Sequence, residues 1–504
     1  MSIEHRWRAY DFNSGRTLSG TAIVATGAFG CAGWRIGLGI RGQYGHETGA
    51  MIAGVLLSLV LVFLFCPRSN SLSAARAVAL ATVAIGFGGS MTYAQTIGLT
   101  QDPPLVGNWA AWRWGMLGLA LKGSLWIGFG GLFLGIGLSG IRYRPLELLG
   151  LMALVLLLFF LGKQILNEPF DPAHRVLPRW YFSDDWRWEP GELKPRRELW
   201  GGLLLGLTGA SLFARVFKKD SLALALAGWG CLGGALGFPL GQCLQSFHAW
   251  NRELFHTGFW LRLEPVLNWW NMMETTFGAV MGATLGLGLW LNRRRIATLT
   301  DPTPAVLAPA AEIPLLIVYV TLLLLGEFAR VPILGPVADL GLAMGVVPLV
   351  CIAAGRLWPF FLALPVTLLP IAGKTIRRLV YEEKAVSVWS GWIFYCVLPL
   401  IAATAMAWYF ARPAAAAGQA RNYLRSSLLL CAWLYFILNF AFFRWPWPWL
   451  EWTYRTPNGI IYAICATGLT LAALRIHNER GLSASQESAK QNVEQSGGTI
   501  PSQQ

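Results

Sequence analysis

The chain has 504 residues, 55% of them hydrophobic and only 13% charged, with a mean hydropathy of +0.49. That excludes an ordinary soluble domain, whose charged share is about 25%. The net charge of +14 sits in short segments between apolar runs, which is the pattern of topology signals and of contact with anionic lipid rather than of a nucleic-acid binder.

Residues 1–17 are polar and read as a cytoplasmic N-terminal segment with no cleavable leader. Apolar runs then recur at 18–40, 49–66, 74–94, 114–139, 145–162, 199–217, 221–245, 271–292, 313–333, 336–355, 357–373, 388–411, 424–443 and 458–475. Each is close to the ~20 residues that cross hydrocarbon as a helix. Runs such as Val55–Phe65 are unbroken, whereas membrane strands alternate. The expected fold is therefore all-α: a polytopic integral membrane helix bundle of about 14 transmembrane helices.

Positive residues in short loops set orientation. With a cytoplasmic N-terminus, Arg142, Arg144, Arg215, Lys218, Lys219 and Arg293–Arg295 fall inside, as a bacterial plasma membrane would require. Past residue 310 the same rule conflicts with Lys374, Arg377, Arg378 and Lys384, so one of the proline-rich runs within 313–373 is expected to be re-entrant. The expected organisation is a bundle over 18–163, an extracytoplasmic aromatic and charged loop over 164–198, a second bundle over 199–310, a C-terminal bundle over 311–475, and a disordered polar tail over 476–504.

The N-terminal part carries an internal, Gly-rich helix-pair repeat. GAFGCAGWRIGLGIRGQ (27–43) resembles GWGCLGGALGFPLGQ (228–242), ending at Gln43 and Gln242, and each is followed by a helix opening in Glu-Thr, at Glu47 and Glu274. A weaker copy, IGFGGSMTYAQ (85–95), ends at Gln95, and its following helix holds Lys122 where the others hold a carboxylate. Close helix packing explains most of these glycines, and helix-dipole capping is an ordinary role for Glu47 and Glu274. Lys122 asks for more, because an unpaired lysine two turns into a span costs about 2.5–3.5 kcal/mol. Glu47, Glu274 or both are expected to face it.

The segments 96–113, 164–198 and 246–270 mix aromatic rings with charges, and the second contains Asp184-Asp185. Tryptophans collect at membrane interfaces in any case, but the mixture also suits a lid over a polar cavity. The candidate substrate-binding residues are thus Gln43, Glu47, Gln95, Lys122, Gln242, Glu274, Asp184 and Asp185. His46, His248 and His256 are weaker candidates for a metal or a proton relay, with spacing that fits no helical ligand pair. No cofactor is expected, since no HExxH, Walker A or GxSxG motif occurs.

Three functions fit these residues. The first is an ion- or proton-coupled permease for a small polar or amphipathic substrate, favoured by duplication and by buried charge. The second is a membrane-embedded transferase acting on a lipid-linked or sugar-phosphate substrate at the outer face, with Asp184-Asp185 in a base or metal role. The third is a structural subunit with membrane-protein partners. Membrane lipids are a partner in all three.

Overall fold

The computed structural model describes residues 46–66, 71–91, 93–191, 193–297, 369–417, 420–438 and 459–471, with a few isolated positions besides. Among these residues the chain is helical without named strands, apart from one isolated bridge between Asp171 and Val176. The helices are α1 (His46–Phe65), α2 (Ser71–Gly88), α3 (Ala94–Gln101), α4 (Trp109–Leu138), α5 (Pro145–Leu166), α6 (Trp200–Leu212), α7 (Ser221–Trp250), α8 (Arg252–Phe255), α9 (Gly258–Leu263) and α10 (Trp269–Leu291). After them come α11 (Leu369–Ile376), α12 (Val388–Trp392), α13 (Leu398–Ala417), α14 (Ala420–Leu438) and α15 (Gly459–Leu471). Among the described residues, six helical stretches are long and apolar enough to cross a membrane, which is compatible with an integral membrane protein. The runs at 18–40 and 313–368, and Gln43 with them, lie outside the described residues or are described only at scattered positions.

Within the described residues the apolar runs are helical close to where the sequence places them, with one division. The run expected over 74–94 stops at Gly88, and a separate short helix, α3, starts at Ala94. Gln95 therefore opens α3 rather than closing a long Gly-rich helix. Helix α1 is apolar all round and from Ala50 onward almost wholly buried, as such a helix must be. It packs on α2 and α14. Helix α5 is the opposite case. Its Leu146, Leu149, Leu157, Phe160, Leu161 and Ile165 are exposed, a continuous apolar face of the kind that lipid covers.

The centre is the antiparallel pair α4 and α7, whose backbones touch. A methyl group added at Gly234 would fall on the carbonyl of Gly123, one at Gly131 on the carbonyl of Leu226, and one at Gly135 on Ala223. On each helix these contacts recur about every four residues, the small-residue spacing that lets helices approach without side chains between them. Helix α10 packs against α7 in the same way, with Gly241 against the Met273 carbonyl.

One end of the bundle carries the connections 89–108, 167–199 and 251–268; we call it the loop end. The other end is pinned by Asp220. Its buried carboxylate accepts from Ser139 Oγ at 2.7 Å, Tyr143 OH at 3.0 Å and the Ala223 amide at 2.9 Å, the last capping α7.

Candidate functional site at the loop end

Helix α3 organises the loop end, since four of its eight residues each hold a different neighbour. The Gln95 side chain donates to the Lys194 carbonyl (3.1 Å) and accepts from the Arg196 amide (2.9 Å), tying down the 167–199 connection. Thr96 accepts from Lys122 Nζ at 2.6 Å. Gly98 lies against two carboxylates, and Thr100 accepts from Gln242 Nε2 at 2.8 Å.

Lys122 is buried, as its position in the sequence required, and its carboxylate partner here is Glu198. Glu198 is 0% exposed, and both of its oxygens are used. Oε1 accepts from Lys122 Nζ (2.7 Å) and Ser183 Oγ (3.0 Å), while Oε2 accepts from the Phe182 amide (3.0 Å) and Trp200 Nε1 (3.1 Å). A buried ion pair is tolerated when the remaining lone pairs are satisfied in this way. The pair fastens the connection to α4, and rings complete the attachment: Trp114 donates to the Tyr181 carbonyl (2.7 Å) and stacks on Phe182. Burial, then Glu198 and Asp184, push the Tyr181 phenol above its ordinary range.

Of the acidic pair, Asp185 is committed locally, receiving Arg187 through an ion pair and through its amide. Asp184 faces inward. A point one bond from the Gly98 α-carbon lies 2.5 Å from Asp102 Oδ2 and 3.0 Å from Asp184 Oδ1, so the two carboxyls sit side by side. Partial burial, then Asp102 and Glu189, push Asp184 up to about 7, against the opposing pull of Arg196 and Lys122. Burial raises Asp102 as well.

This shift has a defined sign. Between the ordinary aspartate value of 3.8 and about 7, the folded chain keeps a proton that the unfolded chain has released. Stability therefore falls as pH rises through that window. Asp184→Asn is expected to flatten the dependence and to gain about 1 kcal/mol at pH ~8, allowing for solvent screening of a partly exposed carboxyl. Thermal unfolding of both forms from pH ~5 to ~8 checks it, and parallel curves would reject it.

The second half of the site lies on α7 and α10. Gln242, Gln245 and Ser246 occupy positions i, i+3 and i+4, one face of a helix, and are 0%, 6% and 4% exposed. Among the described residues, Gln242 Oε1, Gln245 Oε1 and Ser246 Oγ have no hydrogen-bond partner. Across the Gly241–Met273 contact, Glu274 is 1% exposed and accepts from Trp270 Nε1 at 2.9 Å, and Asn271 is buried beside it in sequence. Below is a floor of rings, with Phe238 stacked on Phe277 at 4.7 Å and Tyr93 and Trp126 against them. Beside the nest, a cleft of about 550 Å³ opens between Pro103, Val106 and Ala249–Leu254. Trp250 lines that cleft and donates to the Thr100 carbonyl (2.9 Å), so cleft and nest share one wall.

Among the residues singled out from the sequence, Lys122 and Gln242 thus meet on α3 one turn apart, through Thr96 and Thr100, and Asp184 lies between them at Gly98. His248 Nε2 lies 2.7 Å from Glu264 Oε1, a carboxylate acceptor for its ring N–H, and the ring stacks on Trp269, while His256 is exposed. Gln43 and the side chains of His46 and Glu47 lie outside the described residues. Sequence reasoning missed Glu198, Thr96, Thr100, Asp102, Gln245 and Ser246. The spacing of Gln242, Gln245 and Ser246, a polar stripe in an apolar helix, was the available signal for two of them.

Comparison with protein families, with curated proteins and with solved structures finds no match to this chain.

Proposed function

We propose that the chain is a multi-pass permease of a bacterial plasma membrane that takes a small polar or amphipathic solute at the loop end, with that end facing out. The observation that carries this reading is the nest on α7. Three buried oxygens without a partner among the described residues are costly in an apolar bundle, about 1–3 kcal/mol each, unless a ligand or water uses them. Such atoms at the end of a helix bundle, beside a cleft and under a fastened connection, are what a binding site requires. This orientation is the one that Arg142, Arg144, Lys218, Lys219 and Arg293–Arg295 at the opposite end favour, since such residues suit a cytoplasmic face.

The Gly-rich repeat fits the same reading. Helices α2 and α4, and likewise α7 and α10, pack as adjacent pairs through glycine. Two parallel copies would bring Lys122 and Glu274 to one end, as in transporters built from repeats. A transferase at the same face is the second reading, favoured by the Asp102–Asp184 pair, because a carboxyl holding its proton near pH ~7 can serve as a general acid.

The test is a thermal-shift screen of the full chain in lipid nanodiscs against amino acids, sugars, organic anions and amines, followed by counterflow of the stabilising solute in proteoliposomes. A permease gives counterflow above empty liposomes, abolished in Gln242→Leu. A stabilising solute that is chemically converted and never accumulated would sink the permease and favour the transferase.

A further inference from the structure

We infer that the solute of this site is an uncharged amphiphile whose head carries hydrogen-bond donors together with an acceptor, as a vicinal diol or a primary amide does. The head sits on Gln242, Gln245 and Ser246, and the apolar body stays in the cleft above. The inference rests on the reading of the nest as a solute site and names the class of solute, but the binding itself does not depend on transport.

The direction of the Gln242 amide is fixed by its neighbour on α3. Thr100 Oγ1 donates its own hydrogen to the Ile97 carbonyl at 2.7 Å, which leaves its oxygen able only to accept. The Gln242 group facing it at 2.8 Å is therefore the NH₂, and Oε1 is turned away from Thr100. With Gln245 Oε1 and Ser246 Oγ, the open atoms among the described residues are two amide oxygens and one hydroxyl. The amide oxygens need donors, while the hydroxyl can both accept and offer a hydrogen. An ionised carboxylate or phosphate head brings no donor and would set lone pairs against lone pairs. An ammonium head brings donors, but it has no acceptor for the Ser246 hydroxyl and would be buried as a charge against three neutral groups. A vicinal diol or a primary amide supplies two donors and an acceptor without charge.

The cleft begins one turn further along the same face of α7. Ala249 stands four residues beyond Gln245 and three beyond Ser246, and Trp250 stands four beyond Ser246, which are the spacings of neighbours on a helix surface. Both residues line the cleft. Ala249 contributes only a methyl group at this junction between cleft and nest. The wall above it is largely apolar, with Pro103, Val106 and Leu254 beside the Trp250 ring, and the charged Arg252 and Glu253 are exposed. An apolar lining that leads to a few placed polar atoms is the usual division of labour in a small-molecule site. It orients an amphiphile head first, with the head at the α7 stripe and the body against the rings and aliphatic groups of the cleft.

The test uses the full chain in nanodiscs, unfolded thermally in increasing concentrations of hexanamide, hexanediol with vicinal hydroxyls, the dimethyl ether of that diol, hexanoate or hexylammonium. The expected result is a saturable rise in Tm with the diol or the amide. The ether has the same body and no donor, so it reports what the bilayer alone contributes, and it should give no saturable rise. Gln242→Leu and Ser246→Ala should each weaken the apparent affinity about tenfold or more. Gln245→Leu serves should Gln242→Leu not fold. Ala249→Phe keeps all three head-group residues and should weaken binding comparably by closing the junction. An equal response to the ether, a stronger one to hexanoate or hexylammonium than to the neutral pair, or no response to any of the five overturns the assignment. Counterflow of an acid or an amine without a response to the neutral donors would leave the permease standing and remove this head group; a saturable, Ser246-dependent response with no counterflow of any solute would do the reverse.

Discussion

Replacing Lys122 by methionine is expected to cost the folded chain about 3–5 kcal/mol, because it leaves Glu198 charged, 0% exposed and without its cation. Lost packing is a minor part, since methionine nearly fills the lysine stem. The charge itself is the problem, and Lys122→Met with Glu198→Gln is therefore expected to lose clearly less than Lys122→Met alone. Glutamine keeps an oxygen for the Phe182 amide and Trp200 Nε1 and carries no charge. Unfolding midpoints in detergent measure the cycle, and strict additivity of the two changes would reject a coupled pair. Limited proteolysis supplies an independent readout. Freed from Glu198, the 167–199 connection should be cut at least several times faster in Lys122→Met, whereas an unrelated core defect would leave its protection unchanged.

The second large effect is expected where α4 meets α7. Gly234→Ala places a methyl group on the Gly123 carbonyl, backbone against backbone, so neither side can turn a rotamer to make room. The helices must separate, at a cost of about 1–3 kcal/mol or more. Gly228→Ala is the control on the same helix. Nothing lies within 4 Å of its added methyl group, and the gain in helix propensity should stabilise by up to about 1 kcal/mol. One chemical change, six residues apart, thus has opposite expected signs. Equal effects in the unfolding midpoint would show that the α4–α7 contact does not hold the bundle.

These two sites mark how far the sequence could be read. The bodies of α1, α2, α4, α5, α6, α7 and α10 were legible because a long apolar run has few alternatives to a helix, and the aromatic connections fell at one end because antiparallel neighbours alternate. That Lys122 needed a partner was legible from its burial cost. The identity of that partner was not. Glu198 stands in a stretch with Lys194, Arg196 and Arg197, where a carboxylate resembles any surface charge, and only the fold of the connection carries it to α4. Helix α3 was hidden for a related reason: its Gln and Thr residues look like loop, and their value lies in contacts made with α4, α7 and residues 183–196. The polar stripe on α7 was partly visible, since Gln242 was singled out while Gln245 and Ser246, one turn on, were passed over.

The Lys122–Glu198 pair also bears on how the chain is made. The two residues are 76 positions apart, so a ribosome that has just delivered α4 to the membrane has yet to synthesise Glu198, with α5 and most of the connection still to come. For that interval a lysine placed in hydrocarbon would lack its carboxylate, and the nascent segment would be held back by about 2.5–3.5 kcal/mol. Helix α4 should therefore linger at the insertion machinery until Glu198 emerges, and truncated nascent chains ending before it should leave α4 less fully inserted than those ending after it.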